Sequence, residues 1–76
     1  KTWRVIDLIR WTTEYFELHD IPTARLDAEL LLCHLLGKDR LELYLGFEMT
    51  VLPKVLSRFR ELVKMRAAHT PISYLT

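Results

Sequence analysis

The sequence predicts a small all-α domain, a bundle of about four to five helices, on three grounds. The chain has 76 residues, which is enough for one small domain with a hydrophobic core. Half of the residues are apolar and 28% are charged, so a core can form and the chain is not a disordered tail. It has two glycines and three prolines, too few for the regularly spaced turns that a protein of short strands needs.

The first helix is predicted over residues 3–18, with Thr2 as its N-cap. Charged residues recur along one side of this helix, and apolar residues lie on the opposite side. Trp3 and Trp11 flank the apolar side; packing against the core is the favoured interpretation, and a role as interaction anchors is the alternative. The predicted buried face consists of Val5, Leu8, Ile9, Tyr15 and Phe16.

The second helix is predicted over residues 24–36, between Thr23 as the N-cap and Gly37 at the C-terminus. Apolar side chains point in almost every direction around this helix, which is typical of the central helix of a bundle. The exceptions include Arg25, Asp27 and Glu29. Arg25 and Glu29 are four residues apart and can form an ion pair along the helix surface.

Two further helices follow. Asp39 and Glu42 have the capping-box spacing, which predicts a short helix over residues 40–45 that ends at Gly46. After a loop, a last helix is predicted over residues 51–68, with Thr50 as its N-cap and Pro53 in its first turn, where proline is tolerated. The apolar stripe of this helix consists of Leu52, Val55, Leu56, Phe59, Leu62 and Val63, and its next position is Arg66.

A cation on a buried stripe is rarely left unpaired, and the central helix carries two anions. We therefore predict that Arg66 pairs with Asp27 or Glu29 and ties the last helix to the central one. The alternative is that Arg66 lies at a fraying helix end and extends into water. Structural pairing is favoured for Asp27 and Arg66, whereas Arg25 and Glu29 are expected to be partly exposed.

The net charge of +1 hides an asymmetry, because residues 51–76 carry five bases and one acid while residues 12–50 carry three bases and eight acids. This excess of base is too small to favour a nucleic-acid partner. A single cysteine, Cys33, excludes an internal disulfide and fits a reducing, cytoplasmic compartment, and its apolar neighbours favour a buried hydrophobe over a reactive thiol. No apolar run approaches the roughly 18 residues that a membrane span needs, and nothing resembles a signal peptide.

The residues give no sign of catalysis. The three histidines and Cys33 have no spacing typical of a zinc site, and no glycine-rich loop could hold a phosphate. Cys33 and His34 are adjacent on a helix and therefore point in different directions, which excludes a nucleophile pair. The residues alone predict a helical bundle that binds or positions a partner.

Two runs of residues resemble the N-terminal domain of the HemK/PrmC family. The first is ARLDAELLLCHLLGKDRLELYL, with Arg25, Asp27 and Glu29, and the second is FRELVKMRAAHTPISYLT, with Arg66. The resemblance covers essentially the whole chain. Members of this family are S-adenosylmethionine-dependent methyltransferases that modify the glutamine of the Gly-Gly-Gln motif in peptide-chain release factors.

The resemblance implies that residues 1–70 are a helical substrate-recognition domain. Residues 71–76, with Pro71 and Tyr74, would begin a connector to a Rossmann-like methyltransferase domain outside this sequence. No catalytic, cofactor-binding or metal residue is implied here, because the Asn-Pro-Pro-Tyr signature and the glycine-rich cofactor loop of the family are missing from this sequence. The implied cofactor of the whole protein is S-adenosylmethionine. The implied partners are a class I release factor and the protein's own methyltransferase domain, with no membrane.

Two alternatives stay open. A free-standing helical interaction or dimerisation module would have a concentration-dependent mass. A nucleic-acid-binding module would use the basic last helix and bind with a steep dependence on salt. One departure from the family pattern is the start of that helix, where Lys54 and Arg58 stand in place of an acidic first turn.

Overall fold

The structure is a computed structural model that describes residues 2–71. These residues form four helices: α1 (Val5–Leu18), α2 (Ala24–Leu36), α3 (Arg40–Leu45) and α4 (Pro53–Ala67). Within the described range there is no strand, and an isolated antiparallel bridge joins Arg4 to Thr50. The prediction of an all-α bundle is confirmed.

The bundle is organised around α2, which packs against α1, α3 and α4. Its bounds are those that the sequence predicts. Gly37 has a left-handed backbone with a φ of 65°, which a glycine adopts without a steric penalty. The core is made of apolar side chains from all four helices and their connections, and its largest members are Phe16, Phe59, Ile9, Leu31, Leu32 and Leu43.

Two predicted helix starts are wrong, and both errors have one cause. The helix α1 begins at Val5 and not at residue 3, and α4 begins at Pro53 and not at residue 51. The segments before the two helices run side by side in extended form, and Val51 N donates to the Trp3 carbonyl over 2.8 Å. Backbone that pairs with a distant segment is not free to continue a helix.

The N-caps predicted for these two helices are therefore wrong as well. Arg4, and not Thr2, is the N-cap of α1, and Leu52, and not Thr50, is the N-cap of α4. The first N–H groups of α1 have no partner within the helix. They are satisfied by the loop before α4, because Val5 N donates to the Met49 carbonyl at 2.9 Å and Ile6 N to the Phe47 carbonyl at 3.1 Å.

The capping box of α3 is confirmed. The Asp39 side chain accepts a hydrogen bond from Glu42 N at 2.8 Å, and the Glu42 side chain accepts one from Asp39 N at 3.0 Å. Each side chain thus satisfies a backbone donor at the start of the helix. The helix then ends before Gly46, as the sequence predicts.

The end of α1 is a Schellman motif. Asp20 has a φ of 60°, its N–H donates to the Glu17 carbonyl, and Ile21 N donates to the Phe16 carbonyl. Ile21 and Phe16 are both buried, which supplies the apolar contact that accompanies this motif. The turn therefore closes α1 and directs the chain back along the bundle into α2.

Candidate functional site

Arg66 and Asp27 form a buried ion pair between α4 and α2. The Arg66 Nε donates to the Asp27 Oδ2 at 2.8 Å, and the two side chains are 17% and 5% exposed. The Thr23 hydroxyl donates to the other carboxylate oxygen at 3.0 Å. Of the two partners that the sequence allows for Arg66, the structure brings it to Asp27.

The same arginine also contacts the end of its own helix. Its Nη1 donates to the Thr70 carbonyl at 3.4 Å. The helix closes in a second Schellman motif, in which His69 has a φ of 66°, His69 N donates to the Arg66 carbonyl and Thr70 N to the Met65 carbonyl. The turn that leads to the exposed Pro71 is thus held against α2 through Arg66. Tyr74, the other residue of the expected connector, lies outside the described residues.

Glu29 is the centre of a second polar cluster. Its side chain is completely buried, and its carboxylate accepts from Arg25 Nε, Arg40 Nε and the Tyr44 hydroxyl, each at about 3 Å. Arg25 and Arg40 are themselves about half exposed, at 52% and 50%. Partial exposure is confirmed for Arg25. It is wrong for Glu29, because Arg40 and Tyr44 of α3 also donate to its carboxylate.

The sequence analysis missed Arg40 and Tyr44. Their signal is their spacing of four residues on α3, which places both on one side of that short helix. Arg40 also donates to the Tyr44 hydroxyl at 3.2 Å. This hydrogen bond, followed by the one to Glu29, raises the pKa of the Arg40 guanidinium, so Arg40 stays protonated at every physiological pH.

These clusters join helices. Each buried carboxylate accepts hydrogen bonds from at least two donors. Cys33 is buried, and burial followed by the charge of Glu29 raises the pKa of its thiol. Residues 2–71 contain no group of three or more side chains that could hold a metal ion. The side chains of the two clusters thus hold α3 and α4 against α2.

The sequence matches the family model described as the PrmC N-terminal domain over residues 7–76. The chain belongs to the PrmC N-terminal domain family. The match includes every residue of the two polar clusters, so the contacts that join α2 to α3 and α4 lie inside the PrmC N-terminal domain.

Proteins named release factor glutamine methyltransferase are similar to this PrmC N-terminal domain over nearly all of its length. The one from Rhodopirellula baltica is 40% identical over 73 residues, which is 96% of this chain and 25% of that protein. The one from Chlorobaculum tepidum is 40% identical over 75 residues, or 99% of this chain and 26% of that protein. The chain therefore spans about a quarter of the length of these relatives. No solved structure matches it significantly.

Within residues 2–71 of this PrmC N-terminal domain, no helix has the length and apolar character needed to cross a bilayer.

Proposed function

We propose that this chain is the release-factor-recognition domain of an S-adenosylmethionine-dependent methyltransferase. The whole protein would methylate the glutamine of the Gly-Gly-Gln motif in class I peptide-chain release factors, in the cytoplasm. The observation that carries the proposal is that nearly all of the chain matches the PrmC N-terminal domain and about a quarter of proteins named release factor glutamine methyltransferase.

The division of labour follows from what the described residues can hold. S-adenosylmethionine does not fit them, because both glycines lie at helix ends and neither begins a loop that could bind the cofactor. The cofactor and the catalytic groups would therefore belong to the part of the protein outside this chain. Residues 1–70 would form the recognition domain, and residues 71–76 would begin the connector.

The physical role of such a domain is positioning. Transfer of a methyl group from a sulfonium to an amide nitrogen requires the two atoms to meet in line and at close range. Contacts made by a separate domain with a remote part of the substrate can supply the binding free energy for that alignment. The Arg66 contacts to Asp27 and to the Thr70 carbonyl support this role, since they hold the turn just before the expected connector against α2.

The test compares methyl transfer by the full-length protein and by the protein without residues 1–70. With an intact release factor, we expect the deletion to raise KM strongly while binding of S-adenosylmethionine persists. With a short peptide that contains Gly-Gly-Gln, we expect the two enzymes to transfer at the same low rate, because the peptide lacks the remote contacts. Equal KM values for the intact release factor would contradict the proposal.

A further inference from the structure

An apolar groove lies between α1 and α4, and neither Asp27 nor Arg66 lines it. We call it the α1–α4 groove and define it by Trp3, Trp11, Thr12, Tyr15, Arg60 and Lys64. Its volume is about 250 Å³. This is smaller than the roughly 300–1,000 Å³ typical of cofactor sites, and it suits one or two protein side chains.

The wall of the groove is aromatic and open to solvent. Trp11 is 48% exposed, and its ring stacks on Tyr15 with 5.1 Å between the ring centroids and 11° between the planes. Large aromatic side chains held rigid in this way are the residues that contribute most to protein–protein binding. The stack therefore gives α1 a preformed contact surface that needs little ordering when a partner binds.

Thr12 lines the same groove with a buried hydroxyl that has no hydrogen-bond partner among the described residues. Its neighbour Thr13 behaves as a helical threonine usually does and donates to the Ile9 carbonyl at 2.7 Å. Buried hydroxyls without a partner are rare because they lose their hydration without compensation. The Thr12 hydroxyl is thus a polar group, in an otherwise apolar groove, that lacks a partner within residues 2–71.

The α4 edge of the groove is positive. Arg60 and Lys64 are both exposed, and neither takes part in the ion pairs found within residues 2–71. Glu61, the acidic residue of α4, pairs with Arg58. The edge therefore favours carboxylates on whatever occupies the groove.

We propose that the α1–α4 groove binds an apolar side chain of the release factor that is flanked by acidic residues. The side chain would pack against Trp11 and Tyr15, an oxygen beside it would accept from the Thr12 hydroxyl, and the flanking carboxylates would meet Arg60 and Lys64. This proposal rests on the proposed function and names the surface that performs it.

The experiment measures the Kd of the full-length methyltransferase for its release factor by calorimetry, with variants of this domain. We expect Trp11→Ala to raise Kd about 30-fold and Thr12→Val about 10-fold. Lys64→Glu should raise Kd about fivefold, with a larger effect at low salt than at high salt. Thr12→Val should at the same time raise the Tm of the free protein, so a weaker complex cannot be attributed to misfolding.

Matched controls lie on the same helices outside the groove. Lys54→Glu makes the same charge change on α4, and Leu18→Ala removes an exposed apolar side chain from α1. Both should leave Kd within about twofold of the unchanged protein, as exposed substitutions away from an interface do. If Lys54→Glu weakens binding as much as Lys64→Glu, the effect is one of overall charge and the groove is not the site.

The remaining outcomes separate this proposal from the proposed function. If deletion of residues 1–70 raises Kd but the groove variants do not, only the groove proposal fails. The domain would then bind the release factor through another surface, for example the exposed Leu41 and Leu45 of α3. If the deletion leaves Kd unchanged, both proposals fail. If Trp11→Ala leaves Kd unchanged but splits thermal unfolding into two transitions, the groove is covered by the methyltransferase domain, which also overturns the proposal.

Discussion

Replacing Arg66 by alanine removes the guanidinium that neutralises Asp27 and leaves that carboxylate inside the bundle. Breaking a buried ion pair by removing one partner costs about 3–5 kcal/mol when the remaining charge has no other partner. Asp27 keeps the hydrogen bond from the Thr23 hydroxyl, and Arg66 is partly open to water. We therefore expect Arg66→Ala to lower the free energy of unfolding by about 2–3 kcal/mol.

Chemical denaturation of this 76-residue chain measures the loss directly. For a domain of this size, the expected change corresponds to a drop in Tm of at least about 8 °C. Arg58→Ala is the matched control, because Arg58 is exposed on the same helix and its pair with Glu61 is exposed too. The control should change the free energy of unfolding by no more than about 0.5 kcal/mol.

A double-mutant cycle assigns the loss to the pair. Arg66→Ala, Asp27→Ala and the double variant should give a coupling energy of about 1–3 kcal/mol, because each single change removes the same contact. If Arg66→Ala lowers the free energy of unfolding by less than about 0.5 kcal/mol, or if the coupling energy is near zero, the ion pair does not hold α4 against α2.

Three further outcomes are expected. Glu29→Ala should lower the free energy of unfolding by about 2–4 kcal/mol. Arg25→Ala and Arg40→Ala should each lower it by less than about 1 kcal/mol, because Glu29 keeps its other donors when one half-exposed arginine is removed. Equal losses for the three variants in chemical denaturation would contradict this. Cys33 should be alkylated at neutral pH at least about tenfold more slowly in the native chain than in urea, because burial raises the pKa of its thiol; equal rates would show an accessible thiolate. Thr12→Val should raise the free energy of unfolding by about 1 kcal/mol, since it replaces an unpartnered hydroxyl by a methyl group, and a lower melting temperature would show that the hydroxyl does have a partner.

The features that sequence predicted correctly are those whose signals are local. The end of α2 follows from Gly37, and the start of α3 follows from the spacing of Asp39 and Glu42. Thr23 has the predicted N-cap position of α2, but its side chain makes no capping hydrogen bond and donates to Asp27. In each case the residues that fix the backbone lie within one turn of the helix end. No distant segment is needed to satisfy the backbone at these positions.

The errors concern contacts between segments that are far apart in the chain. Whether Thr2 or Thr50 caps a helix depends on the pairing of the two segments that precede α1 and α4, and neither segment carries a signal of that pairing. The burial of Glu29 likewise depends on Arg40 and Tyr44, which reach it from another helix. Helical phase could place Arg66 toward the core, but only the packing of α4 on α2 decides that Asp27 is its partner.

The interior of this domain contains two kinds of buried polar group, and they have opposite consequences. Asp27 and Glu29 each accept hydrogen bonds both from their own helix or its N-cap and from a neighbouring helix, so their removal costs stability. Thr12 is as deeply buried, but its hydroxyl has no hydrogen-bond partner in the described range 2–71, so its removal should favour the free fold. A complex that supplies a hydrogen-bond partner to this hydroxyl would offset that cost. Stability and binding should therefore respond in the same direction for most core changes, and in opposite directions at Thr12.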